Sequence, residues 1–456
     1  MLCSTRGRSV DGRAIEKGIT TAISLVSLIG AAGDGTFSTL STACELRVPV
    51  RFILHGMQLG CLSALLLVAA IAAAGQSSSS VESPPAKEQK QAWLVEDSAT
   101  TASLRGIDSV DGQVAWASGS DGTVLKTTDG GAHWQKCAVP DAATDGNTLD
   151  FRGVQAWDSA TAIVMASGAG EKSRLYKTVD GCITWALLFK NPDTPDGFFD
   201  SFWLNALYGE GILLGDPVKG RFRVFRTDDG GQNWKRDDSK SLALDGKSLA
   251  AFAASNSSIA RSAGKYLDGF VTGGKAGAVL YKSWTAPHFG KLPDLHLRRG
   301  EASEPEWTSS ALPLAGGSET RGAFSIGYRV LESSPTGMFR KGETTGYSSV
   351  WRFVVVGGDY TKPDESKATA AWSEDDGRHW RAAVAPPHGY RSSVEWSSDR
   401  KVWVTAGSNG SDVSRDDGRT WQKLDDGNWN ALSLPFVVGA KGRIGKLDWT
   451  AIPSAP

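Results

Sequence analysis

Short apolar runs, each closed by glycine or another small residue, follow one another along the chain from residue 91 to residue 449. No long helical heptad pattern accompanies them, and this punctuation with aromatic anchors predicts short strands and an all-β protein. One grammar recurs. A first strand reads LRGIDSV, FRGVQAW, FFDSFWL, LAAFAAS, GAFSIGY, YRSSVEW and WNALSLP. A second ends in small residues: VAWASGS, AIVMASG, GILLGDP, GFVTGGK, FVVVGGD, VWVTAGS and PFVVGAK. A third strand runs into a turn, and a fourth leaves from the turn's tryptophan.

Five of these turns hold an acid, a glycine position and a tryptophan in fixed register. The pairs are Asp129 with Trp134, Asp180 with Trp185, Asp229 with Trp234, Asp375 with Trp380 and Asp416 with Trp421. Successive acids stand 51, 49, 146 and 41 residues apart, so the long gap hides expanded units. In the fourth unit VLYKS runs into residues 284–314, which carry no such turn and read as an exposed excursion. Seven units of four strands result, and the last stops three strands in, after RIGKLDW. Residues 92–98, AWLVEDS, resemble the segments that start at Trp134, Trp185 and Trp234 and supply the missing strand. The expected fold is a seven-bladed β-propeller of four-stranded antiparallel blades over residues 91–449, closed by its own N-terminal strand, with a tail at 450–456. Closure removes the open seam that an edge strand would leave.

Each turn has a physical reason. The carboxylate accepts backbone N–H bonds from its own turn, glycine supplies a positive φ, and the tryptophan lays apolar surface over both. Metal or sugar sites would need carboxylates that converge, whereas these lie around a rim; the five are read as structural. In the second turn Cys182 replaces the glycine, which predicts strain or a different shape there.

Composition narrows the class. The chain has 456 residues and a formal net charge of -1, which argues against a dedicated nucleic-acid binder. Residues 51–75 carry an apolar run ending in small residues and read as a cleaved export signal, with an uncleaved anchor as the competing reading. Residues 76–90 form a Ser/Pro-rich linker. Residues 1–50 read as a non-native or disordered extension, the true start lying near Val50 or Met57. An exported protein permits a disulfide between Cys137 and Cys182, which sequence does not decide. The histidines show no metal-ligand spacing, and no glycine-rich loop joins a strand to a helix; neither a metal nor a cofactor is expected.

The pattern [S/T]-x-D-x-G-x-x-W, intact at residues 127–134, 227–234, 373–380 and 414–421, resembles the Asp box of BNR-repeat, sialidase-like propellers. The segments WASGSDGTVLKTTDGGAHW, LLGDPVKGRFRVFRTDDGGQNW and VVGAKGRIGKLDW are similar to bacterial exported proteins related to the photosystem II stability/assembly factor family. That resemblance implies a non-catalytic propeller that binds another protein. The alternative it leaves is a glycoside hydrolase of sialidase type acting on an acidic glycan, although the usual arginine motif of sialidases is missing from LRGI and FRGV.

Propeller topology puts inner-strand starts and second-to-third-strand loops on one face, opposite the acid turns. Binding residues concentrate on such loops. The expected mouth residues are Arg105, Arg152, Asp200, Asp216, Asp359, Tyr390, Arg391 and Asn430, with Arg221, Lys362 and Arg443 around them. Three guanidiniums, on Arg105, Arg152 and Arg391, would suit a carboxylate. The expectation is an exported, periplasmic or secreted monomer with no membrane span in its mature form, whose partner is another envelope protein or a glycan.

Overall fold

Seven four-stranded antiparallel sheets stand among the described residues of a computed structural model, which cover 91–452 apart from 145–146, 206, 208, 263–266, 285–305 and 332–349. The expected export signal, linker and upstream extension lie outside the described residues. The inner strands are Leu104–Ser109, Phe151–Ala156, Phe199–Leu204, Ile259–Ser262, Arg321–Leu331, Ser393–Ser397 and Trp429–Ser433. Blade seven closes as expected: Trp93–Glu96 pairs antiparallel with Ile444–Leu447, Trp93 opposite Leu447 and Glu96 opposite Ile444. Among the described residues no helix is long and apolar enough to cross a membrane.

The core lies between blades, because each sheet buries both faces. Trp116 and Val124 of blade one pack on Phe151 and Val164 of blade two. The ring closes where Leu104, Leu125 and Trp134 of blade one meet Phe436, Val438 and Ile444 of blade seven. Full burial of such a side chain contributes about 1.5–3 kcal/mol, so every seam stabilises the two blades it joins.

The acid turns repeat one hydrogen-bond pattern. In the first, the Thr127 hydroxyl donates to Asp129 (2.8 Å), Gly131 N–H donates to Thr127 Oγ1 (3.0 Å) and His133 N–H to Asp129 Oδ1 (3.0 Å). The His133 backbone N–H, its ring and the Thr127 hydroxyl pull Asp129 down to about 2. The third, fourth and fifth turns also bond their tryptophan Nε1–H to the glycine carbonyl, at 3.0, 3.2 and 3.1 Å. In the first, Trp134 Nε1–H donates instead to Glu96 of the closing strand (3.1 Å), tying blade seven to blade one.

The second turn keeps the same backbone shape despite its cysteine. Cys182 has φ 72°, against 86° for Gly231 and 70° for Gly377. Its sulfur is bonded to Cys137, which follows the outer strand of blade one, across 45 residues. The disulfide that sequence left open is therefore a staple between two blades. Trp185 Nε1 has no hydrogen-bond partner among the described residues.

Blade four departs twice from expectation. Its outer strand, Trp307–Ala311, lies inside the segment read as an excursion, and Trp307 is buried with its Nε1–H on Asp237 (3.0 Å). The run LAAFAAS is not a continuous inner strand. Only Ala250 bridges to Gly273, and the strand starts at Ile259. The residues between them cross the channel. Ser255 Oγ donates to the Ser392 carbonyl of blade six (2.6 Å), and Ser257 Oγ to Ser325 of blade five (2.7 Å). Asn256 Oδ1 accepts the Phe202 N–H of blade three (2.9 Å), and its amide reaches the Val154 carbonyl of blade two (3.5 Å). Asn256 adopts φ 59°, a left-handed conformation that asparagine tolerates and that breaks a strand.

Candidate functional site at the inner-strand starts

In five blades a β-bulge recurs near the start of the inner strand. The register slips between Leu104 and Gly106, Phe151 and Gly153, Phe199 and Ser201, Ala323 and Ser325, and Trp429 and Ala431. A bulge re-aims the extra side chain, and the residues so treated are Arg105, Arg152, Asp200, Phe324 and Asn430. The acid turns lie at the other end of the blades, since Thr127 pairs with the start of the second strand, Ala115, which also pairs with Ser109.

Arg105 and Arg152 share one acid. Arg152 Nε donates to Asp150 Oδ2 at 2.8 Å, and Arg105 Nε lies 3.4 Å from Asp150 Oδ1. Their side chains are 34% and 29% exposed, although Arg105 Nε itself is buried without a hydrogen-bond partner among the described residues and burial lowers the Arg105 pKa. Arg152 also lies over the Phe198 ring, 5.7 Å from its centroid. Asp200 is 1% exposed, and its Oδ2 has no hydrogen-bond partner among the described residues. Burial, with Asp216 nearby, holds its carboxyl well above the usual range against the pull of Arg152. Burial likewise raises Asp216 to about 6, although it accepts the Ala251 N–H at 3.1 Å.

Aromatic rings occupy blades four to six. Phe252 stacks on Phe324 with centroids 3.9 Å apart, and Phe324 meets Tyr390 edge-on at 4.9 Å. Tyr360, 49% exposed, lies edge-on to Phe324 at 6.1 Å. The Tyr390 phenol stands within electrostatic reach of Arg105, and burial pushes its pKa up. The crossing segment with Ser255 and Asn256 spans the channel that these side chains line.

Three expected mouth residues serve the scaffold instead. Arg391 is 0% exposed, its guanidinium on Asp412, with Nε at 2.7 Å, and on the Tyr390 carbonyl. It takes the buried position that Leu104 holds in blade one, so Ser392 is the counterpart of Arg105. A third guanidinium is thus not available to a ligand. Asp359 is held by Arg321 (3.0 Å) and Thr361 (2.7 Å). Asn430 donates to the Leu104 carbonyl (2.7 Å) across the seam that closes the ring. Of the flanking residues, Arg443 stacks on Trp429 and Arg221 donates to the Asp238 carbonyl. Sequence reasoning missed Asp150, Phe252, Phe324 and Tyr360; the first stands directly before FRGV, and the rings lie within AFAAS, AFSIG and GGDY.

Fold and topology define a seven-bladed β-propeller of four-stranded antiparallel blades, sealed by its N-terminal strand. No family model matches the chain. It is similar to the photosystem II assembly lipoprotein Ycf48 of Synechococcus sp. (strain CC9902), 24% identical over 248 residues that cover 49% of this chain and 67% of that protein. Among solved structures, YCF48 bound to D1 peptide aligns at 18% identity and a TM-score of 0.48, covering 78% of this chain and 97% of that one. YCF48 from Cyanidioschyzon merolae gives the same identity and score, covering 78% and 98%.

Proposed function

We propose that this chain is an exported, non-catalytic binding scaffold or assembly factor that holds an acidic polypeptide segment at the inner-strand starts. The observation that carries the reading is the arginine pair: two partly exposed arginine side chains stand against the single carboxylate of Asp150. Burial, with Asp216 nearby, raises the Asp200 carboxyl well above its usual range, which disfavours its charged form beside the pair. Charge-assisted bonds from arginine to a carboxylate are among the strong ones, and two converging forks add geometric selection. Similarity to an assembly lipoprotein supports a scaffold role. The Asp-box reading of the rim turns supports a structural use of their acids. Export is supported by the apolar run of residues 51–75 and by the Cys137–Cys182 bond, since disulfides persist in oxidising compartments.

The test is affinity capture from native envelope extract with wild type and an Arg105→Ala/Arg152→Ala variant as baits. Wild type should retain a partner that the variant loses; identical captures from both would remove the arginine pair from the site. The buried acids Asp200 and Asp216, whose carboxyls burial raises, favour the hydrolase as a second reading. Turnover of an aryl sialoside or another aryl glycoside, lost in Asp216→Asn, would promote it.

A further inference from the structure

The arginine pair is not alone at its end of the channel. Aromatic rings of blades four to six reach it through Tyr390, which stands within electrostatic reach of Arg105. Phe324 and Tyr390 are buried and close the contact of blades five and six. Tyr360 meets Phe324 edge-on with half its surface in water, and the half-buried Phe252 stacks on the same ring. A ring held rigidly on a buried neighbour loses little freedom when it takes a partner, which makes it an inexpensive binding surface. The Tyr390 phenol, within electrostatic reach of Arg105, joins the aromatic side to the cationic side.

The crossing segment sets the depth. Bonds from Ser255, Asn256 and Ser257 to four other blades fix it across the channel, so a ligand enters from one side and stops there. A polypeptide cannot thread through. It must lie over the opening and insert side chains.

We infer that the opening holds a second, aromatic subsite built on Tyr360 and Phe252, so that the favoured ligand is an acidic peptide segment with an aromatic side chain beside its carboxylate. The carboxylate pairs with Arg105 and Arg152, while the aromatic ring stacks on Tyr360 above Phe324. This rests on the binding reading above and gives it a partner chemistry. Neither cation nor ring alone selects such a segment; the two together discriminate it from acidic segments at large.

Three acetylated and amidated tetrapeptides test it: Gly-Glu-Phe-Gly, Gly-Glu-Ala-Gly and Gly-Gln-Phe-Gly. Each is titrated by NMR against the full chain and against Tyr360→Ala and Arg105→Ala/Arg152→Ala variants, with thermal melts to verify folding. A ring contact of the usual strength is worth about a tenfold change in affinity. The Phe peptide should bind wild type about tenfold more tightly than its Ala counterpart, and Tyr360→Ala should erase that advantage while glutamate is still preferred over glutamine. Equal binding of the Phe and Ala peptides, or a Phe preference that survives Tyr360→Ala, overturns the aromatic subsite and leaves the arginine reading standing. Loss of the glutamate preference in wild type, or no binding by any of the three, overturns the arginine reading and with it this one.

Discussion

Cys182 occupies a glycine position and repays that strain through a crosslink, which sets up a change of sign. Its φ of 72° is left-handed, where a residue with a Cβ costs about 1–2 kcal/mol relative to glycine. Its bond to Cys137 closes a loop of 45 residues, and loop-closure entropy for that length is worth about 4 kcal/mol. Cys182→Gly restores the turn's preferred residue and cuts the crosslink, so it should destabilise the oxidised protein by about 3 kcal/mol. In a Cys137→Ala background the crosslink is already gone. There the added Cys182→Gly change should stabilise by about 1 kcal/mol. Urea titration followed by tryptophan fluorescence reads both differences, and mass measurement of alkylated protein verifies the redox state. The reasoning fails if Cys182→Gly destabilises in both backgrounds, which would give the cysteine a packing role that glycine cannot fill. It fails equally if oxidised wild type and Cys182→Gly unfold together.

Three other expectations follow from the scaffold. Asp229→Ala strips the acceptor of the Asn233 N–H and should cost about 1–2 kcal/mol in urea titration, leaving binding of the acidic tetrapeptide unchanged at the far end of the blades. Asn256→Ala removes the acceptor of the Phe202 N–H and places alanine in a left-handed conformation, for a loss of about 2–3 kcal/mol by the same assay, whereas Asn256→Asp, which keeps the acceptor, should lose less. Burial, with Asp108 adding to it, raises Glu395 to about 8 although the Leu434 N–H opposes the shift. The folded state then binds the proton more tightly than the unfolded one, so stability falls as pH rises from about 4.5 to about 8 and levels off above. Glu395→Gln keeps an acceptor for Leu434 and should flatten that profile, exceeding wild type by a few kcal/mol at pH 9 at most; a variant no more stable than wild type there would contradict it.

The propeller was legible because its grammar is local. A short apolar strand ending in small residues, a glycine turn and a covering tryptophan can be recognised wherever they occur, and seven copies leave one architecture. Closure was legible for the same reason, since AWLVEDS matches the other outer strands and one blade lacks its fourth. Blade four misled because LAAFAAS satisfies the same grammar. What turns it across the channel is the match of Ser255, Asn256 and Ser257 to groups on four other blades, and no local pattern encodes that. The cysteines posed the same kind of problem: one lies past an outer strand, the other in the next blade's turn, and only the ring brings them together.

The misplacement of Arg391 has a sharper cause, and it shows how the site could have been found. The string YRSSVEW fits the inner-strand pattern in two phases, and reading its arginine as the equal of Arg105 takes the wrong one. The phase is fixed by the third residue, which is small in every blade: Gly106, Gly153, Ser201, Ala251, Ser325, Ser393 and Ala431. A Cβ on Gly106 would lie 2.6 Å from Ser118 Oγ and 3.3 Å from the Val154 nitrogen of the next blade, so the ring itself demands a small side chain there. Counting back from that residue assigns Arg105, Arg152, Asp200, Phe324 and Asn430 to the bulge, and Ala250 and Ser392 to the corresponding place in blades four and six. It also sends Arg391 into the apolar slot of Leu104, where a guanidinium persists only because Asp412 is buried with it. Steric demand at the third position therefore separates the channel-lining residues from the buried ones, and it leaves two arginines, rather than three, for a ligand to meet.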